Sequence, residues 1–156
     1  MPIRTIQFTQ EQARDLAGVS PGDVRAWRKA VPYLATKPGK AARFTFADLV
    51  GLAITANLTG AFHVRISDIG PGINALFSAL SDERPADLEG LLAFIDAASA
   101  RLLRVADLEP SQVTGPAFIM PCGPILIQLR QRMLPAVPGS GQTALPFLPQ
   151  MLKAGR

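Results

Sequence analysis

The chain has 156 residues, 48% of them apolar and 18% charged, with a net charge of +4 and one cysteine, Cys122. This is enough for one compact domain or two small ones sharing a core, and it excludes an intrachain disulfide framework. The opening MPIRTIQFTQ has no hydrophobic signal core, and no run reaches the ~20 apolar residues of a membrane span. No membrane partner and a reducing, cytoplasmic setting are expected.

Thr9 is placed to cap a first helix over 10–17, with Gln12 completing a capping box, Ala13 and Leu16 facing inward and Gly18 ending it. Ser20 caps a second helix, with Pro21 at its first position and Asp23 at its third. Val24 and Trp27 share one face, which makes Trp27 the aromatic plug of a helical core. Arg25, Arg28 and Lys29 project from the other sides. Pro32 stops this helix. Residues 33–44 then read as a two-stranded wing, with a Pro38 and Gly39 turn flanked by Lys37 and Lys40 at its tip. Thr45 caps a third helix, Asp48 lies at its third position, Leu49, Leu52, Ala53 and Ala56 form its stripe, and Gly60 closes it.

A fourth helix is predicted over 66–80, with Ile69, Ile73, Leu76, Phe77 and Leu80 inward; Pro71 draws its start toward Gly70, with Ser67 the alternative. SDERPAD, 81–87, reads as a polar linker. Beyond it, LLAFI, DAAS and ARLLRV form the pattern of a β-hairpin with a four-residue loop, against which a single helix over 87–106 competes. AFIMP, 117–121, reads as a buried strand, and Pro124 as the start of a last helix through Met133. The Pro/Gly-rich stretch 135–156 reads as a flexible tail.

The charge is uneven. Residues 1–66 hold nine Lys/Arg against four acids, whereas residues 67–156 hold seven against eight, so the basic excess lies in the first half. A polyanion is the natural partner for that half. Ser20 and Gly22 keep the second helix's start free of bulk for a phosphate, Arg25 and Arg28 reach a backbone or a guanine edge, and Lys37 and Lys40 meet neighbouring phosphates.

Val19 and Ser20 opening the second helix, Arg25, Ala26 and Trp27 within it, Arg43, Phe44 and Thr45 ending the wing, and Asp48 and Leu49 beginning the third helix together resemble the MerR-like winged helix-turn-helix family. The resemblance covers roughly residues 6–80. It implies that the second helix enters the major groove while the wing grips the adjacent backbone. Ser20, Gly22, Asp23 and Arg25 would then approach bases or phosphates, and Arg43 would be the wing arginine. Ala30, Val31 and Pro32 stand where the family often has Gly-Leu-Leu leading into the wing.

Other chemistry is poorly provided for. His63, the one histidine, has no metal-binding neighbours in the pattern, and Cys122 follows an apolar run without a histidine base. Asp82, Glu83, Asp87 and Glu89 form a solvated acidic face, and no phosphate-binding Gly-rich loop is present. Neither an enzyme nor a cofactor is expected. The fold expectation is α+β, an N-terminal winged helix-turn-helix over 1–80 followed by an α+β dimerisation module over 88–134. Function follows as a sequence-specific regulator of transcription that binds double-stranded DNA as a homodimer. The pairing surface would draw on Leu91, Leu92, Phe94, Ile95, Leu102, Leu103, Phe118, Ile119, Ile125, Leu126 and Leu129. The alternatives are an excisionase- or terminase-like DNA-architectural protein, or a protein-interaction module with a relic helix-turn-helix.

Overall fold

The structure is a computed structural model that describes residues 6–37, 39 and 41–134; Lys40 and the stretch 135–156 lie outside the described residues. The order is β1 (Gln7–Thr9), α1 (Gln10–Ala17), α2 (Pro21–Ala30), α3 (Pro32–Ala35), β2 (Arg43–Thr45), α4 (Phe46–Ala61), α5 (Ile66–Ser81), β3 (Leu91–Ile95), β4 (Ala100–Arg104), β5 (Phe118–Pro121) and α6 (Cys122–Met133). The fold is α+β, with a two-stranded sheet β1-β2 and a three-stranded sheet β4-β3-β5, both antiparallel.

Local chemistry sets the starts of α1, α2 and α4. Thr9 and Gln12 form a capping box on α1, as Thr45 and Asp48 do on α4, and Ser20 caps α2. Gly18 ends α1 at φ 72°, a left-handed conformation that a side chain would strain. α4 is the central helix: α1, α5, α6 and β2 pack around it, and every residue from Ala47 to Thr55 is buried. Thr55 is tolerated there because its hydroxyl donates to the Gly51 carbonyl at 2.7 Å.

Three expectations change. The two-stranded wing over 33–44 is not formed: residues 32–35 make the one-turn helix α3, and β2 pairs with β1 (Phe8 opposite Phe44) rather than with a neighbouring wing strand. Pro32 is the physical reason, since its fixed φ suits a helix's first turn and removes a strand donor. The fourth helix starts at Ile66, ahead of both Gly70 and Ser67, and carries Pro71 inside it. The Gly72 N–H, one residue on, leaves the helical ladder's neighbourhood to donate to the Ala97 carbonyl at 3.2 Å. The stretch 117–121 is also not a buried strand, because β5 is an edge with Ile119 45% exposed.

The hairpin reading holds: β3 and β4 pair from Leu91 opposite Arg104 to Ile95 opposite Ala100, with the loop at 96–99. Ile95, Cys122, Ile125, Leu126 and Leu129 join the same buried cluster as the α1, α2, α4 and α5 side chains. Just past the linker stretch 81–87, Leu88 is buried within a 3₁₀ turn over Pro85–Gly90.

The tightest contacts lie on α5. A β-carbon at Gly72 would stand 1.9 Å from the Asp96 carbonyl oxygen, and one at Gly70 would stand 2.6 Å from the Ala30 carbonyl oxygen. Both neighbours are backbone, so neither yields by a rotamer change. We expect Gly72→Ala to cost roughly 1–3 kcal/mol despite alanine's better helix propensity. Gly60→Ala, in α4 with nothing within 4 Å, should instead gain about 0.4–1 kcal/mol. Denaturant midpoints followed through Trp27, the one tryptophan, compare the two. Equal effects would contradict the packing argument.

Candidate nucleic-acid interface

α1, the turn at 18–20 and α2 form two helices joined by a short link, and the caps at both ends hold α2 in place. Val24 and Trp27 are each 2% exposed, which confirms Trp27 as core rather than as a base-stacking group. At 3.6 residues per turn, Gly22, Arg25, Ala26 and Lys29 fall together on the opposite face, and all four are exposed. Two small residues and two cations therefore line one open stripe with no carboxylate in it.

The start of α2 is less open than its sequence implies. Ser20 Oγ accepts from the Asp23 N–H at 3.1 Å and donates to Asp23 Oδ2 at 2.7 Å, so hydroxyl and carboxylate close on each other at the helix end. Ser20 and Asp23 are both exposed, on the flank of the Gly22 stripe. Arg28 is turned away from that stripe. Its Nη2 donates to Gln10 Oε1 on α1 and, at 2.8 Å, to the Lys37 carbonyl, tying α1, α2 and the loop over 36–42 together.

Lys37 is likewise committed. Its Nζ lies 3.2 Å from Asp48 Oδ2 and donates to the Arg43 carbonyl at 2.8 Å, over the rings of Tyr33 and Phe44. Asp48 is 1% exposed, and its carboxylate also accepts from the Thr45 N–H at 2.9 Å and from the Tyr33 hydroxyl at 2.6 Å. Tyr33 stacks on Phe77 at 5.1 Å, and its N–H donates to Asn74 Oδ1 at 2.7 Å. Gly39 takes φ 73°, a left-handed conformation that favours glycine. Arg43 is exposed, with Nη1 on the Ala42 carbonyl at 3.0 Å. Lys40 lies outside the described residues.

The structure thus gathers Gly22, Arg25 and Lys29 on one exposed face, with Ser20 and Asp23 at its start. Lys37 and Arg28 become internal ties. The sequence reading missed Tyr33 and Asn74, and it read Asp48 as a cap alone. A buried carboxylate with a free oxygen beyond its cap bond is the signal that points to further partners.

Away from this region, His63 is exposed at φ 53° between α4 and α5. Burial pushes the Cys122 thiol up to about 11, so the group is protonated and enclosed at neutral pH. Among the described residues, no three of His, Cys, Asp and Glu stand close enough to hold a metal ion, and no helix is long and apolar enough to cross a membrane. No family model matches the chain, and neither a curated protein nor a solved structure matches it.

Two outcomes are expected of the Asp48 cluster. Lys37→Met should lower stability by about 1–3 kcal/mol, the range for a lost hydrogen bond to a charged group. A variant as stable as the parent would mean that the ion pair contributes nothing. Burial first, and then the hydrogen bond and charge of Asp48, raise the Tyr33 phenol above its ordinary 10.0. The folded chain therefore keeps a proton that the unfolded chain gives up. The stabilisation is complete below pH ~10 and is lost as pH rises beyond it. Tyr33 is the one tyrosine, so tyrosinate absorbance reports it alone and should rise together with alkaline unfolding. Ionisation in the still-folded protein near pH 10 would refute the assignment.

Proposed function

We propose that this chain is a sequence-specific, DNA-binding regulator of transcription, acting as a homodimer in the cytoplasm and without enzymatic activity. The N-terminal part is read as a winged helix-turn-helix in which α1 and α2 are the paired helices. The loop over 36–42, anchored at its base by β1-β2, serves as the wing in place of a two-stranded hairpin. The observation that carries the reading is the α2 stripe of Gly22, Arg25, Ala26 and Lys29. Small residues let a helix lie deep in a major groove, and a guanidinium and an ammonium then meet base edges and phosphates. The basic excess of residues 1–66 supports it. Ser20, Asp23 and Arg43 border the stripe, whereas Arg28 and Lys37 act by holding α1 and the loop against α2 and α4.

For dimerisation, the supporting feature is the outer face of the three-stranded sheet. Strand alternation puts Leu92, Phe94, Arg101, Leu103, Ile119 and Pro121 on one side, with Arg101 lying over the Phe94 ring, away from the cluster that takes in Leu91, Ala93, Ile95, Leu102, Phe118 and Met120. Pairing two chains on a two-fold site doubles the contacts that one α2 makes.

The test is binding of the full chain to duplex DNA selected from a random pool, across salt concentrations, with mass measured by sedimentation. Log affinity should fall steeply with log salt, by about 0.9 per phosphate contact. The selected sites should show two half-sites about one helical turn apart, or a multiple of that. Arg25→Ala should lower specific affinity by roughly 1–3 kcal/mol and relax sequence preference. Salt-independent affinity, or none, would sink the DNA reading, and a monomer at tens of micromolar would remove the homodimer. Genomic sites confined to recombination or packaging loci would select the DNA-architectural alternative.

A further inference from the structure

Topology forces the chain to cross the three-stranded sheet. β4 and β5 flank β3 and both run antiparallel to it. The chain leaving Arg104 must therefore return the length of the sheet, past β3, to enter β5 opposite Ile95. The strap over 105–117 makes that crossing. Together with the hairpin loop it borders a cleft of about 460 Å³, within the roughly 300–1,000 Å³ range of ligand pockets. The cleft lies at the Ile95 end of the outer face, whereas Leu92, Leu103 and Pro121 lie at the other end.

Its lining carries one cation and one anion. Arg101 stands opposite Phe94 in the register, with its guanidinium 4.8 Å from the centre of the Phe94 ring. Stacking on a ring leaves the N–H edge of a guanidinium unspent. Among the described residues, Arg101 donates no hydrogen bond and pairs with no carboxylate. Asp96 Oδ1 accepts from the Ala98 N–H at 2.8 Å and from the Ser99 N–H at 2.6 Å, and Oδ2 accepts from the Ser99 hydroxyl at 2.8 Å. The Ser99 hydroxyl bond first, then the two N–H bonds and the Arg101 charge, hold the Asp96 carboxyl below the usual carboxylate range. Oδ1 is filled by its two donors, whereas Oδ2 keeps a second acceptor position. Gln112 and Thr114 add neutral polar groups from the strap.

Opposite charges that share a cleft without pairing select a ligand that bears both. A plain anion would meet Asp96 as well as Arg101, and a plain cation would meet the reverse. A zwitterion suits both, because its carboxylate accepts from the guanidinium fork while its ammonium donates to Oδ2. We propose that this cleft is a seat for a free α-amino acid, its carboxylate held by Arg101 and its ammonium by Asp96. Gln112 and Thr114 are then available to the amino acid's side chain. The seat does not depend on DNA binding.

The experiment follows thermal unfolding of the full chain with the common L-amino acids added one at a time. At least one should raise the midpoint, and the rise should grow with concentration as binding to the folded chain requires. The N-acetyl and amide forms of that amino acid each lack one charge, and both should fail to raise the midpoint. Arg101 stands outside the buried cluster, so Arg101→Gln should melt like the parent when no ligand is present. It should bind the amino acid about 10- to 100-fold more weakly, the equivalent of a lost hydrogen bond between charged groups. Arg101→Lys, which keeps the charge but not the fork, should fall between the two. Asp96→Asn retains an oxygen for the loop N–H groups and should also weaken binding. Should no amino acid raise the parent's midpoint, the seat is overturned. An N-acetyl form that binds as well as the free amino acid would overturn the zwitterion, as would a midpoint rise that survives both Arg101→Gln and Asp96→Asn. The parent with the two blocked forms decides the matter even if a variant fails to fold.

Discussion

The buried carboxylate of Asp48 is the constraint around which the N-terminal part is arranged. At 1% exposure it cannot rely on water, so the Thr45 N–H, the Tyr33 hydroxyl and the Lys37 ammonium must all stand where they do. Each partner comes from a different segment. Thr45 starts the central helix α4, Tyr33 lies on α3, and Lys37 opens the loop over 36–42. Meeting at one carboxylate fixes the direction of the chain between α2 and α4. The Lys37 carbonyl then accepts from Arg28, and the constraint passes to α2. One capping residue thereby controls where the loop sits relative to the exposed stripe of α2.

Features governed by neighbours in sequence were legible, and those governed by distant partners were not. The caps at Thr9, Ser20 and Thr45, the left-handed stop at Gly18 and the inward pair Val24 and Trp27 all follow from spacings of three or four residues. The wing reading failed because β2 takes its partner from the start of the chain, where β1 precedes α1. A strand of three residues carries too little pattern to announce so remote a partner. The fourth helix was misread for a related reason. Pro71 ends helices in isolation, but here the freed space and the Gly72 N–H are used by the hairpin loop, which lies further along the chain.

The candidate site divides along the same line. Gly22, Arg25 and Lys29 were readable from helix periodicity, because an exposed helical face needs no partner to define it. Lys37 and Arg28 looked like solvated cations, since nothing local shows that a lysine two residues before a Gly will reach back over two aromatic rings to a carboxylate. Basic residues beside a turn are therefore weaker indicators of phosphate contact than basic residues on the open face of a capped helix.

The C-terminal hairpin bears on α2 through two backbone contacts in series. Its loop seats on Gly72 of α5 by the Asp96 carbonyl, and two residues earlier, on the other side of α5, Gly70 seats on the Ala30 carbonyl at the end of α2. Neither contact contains a side chain that could absorb a displacement, and α5 is continuous between them. Rigid close packing transmits position rather than damping it. If two chains pair through the outer face of the three-stranded sheet, the separation and tilt of their α2 helices are set by this path and not by a flexible connection. On the proposed reading, half-site spacing would then be selected by geometry, and sites with altered spacing would be disfavoured even when both half-sites are intact.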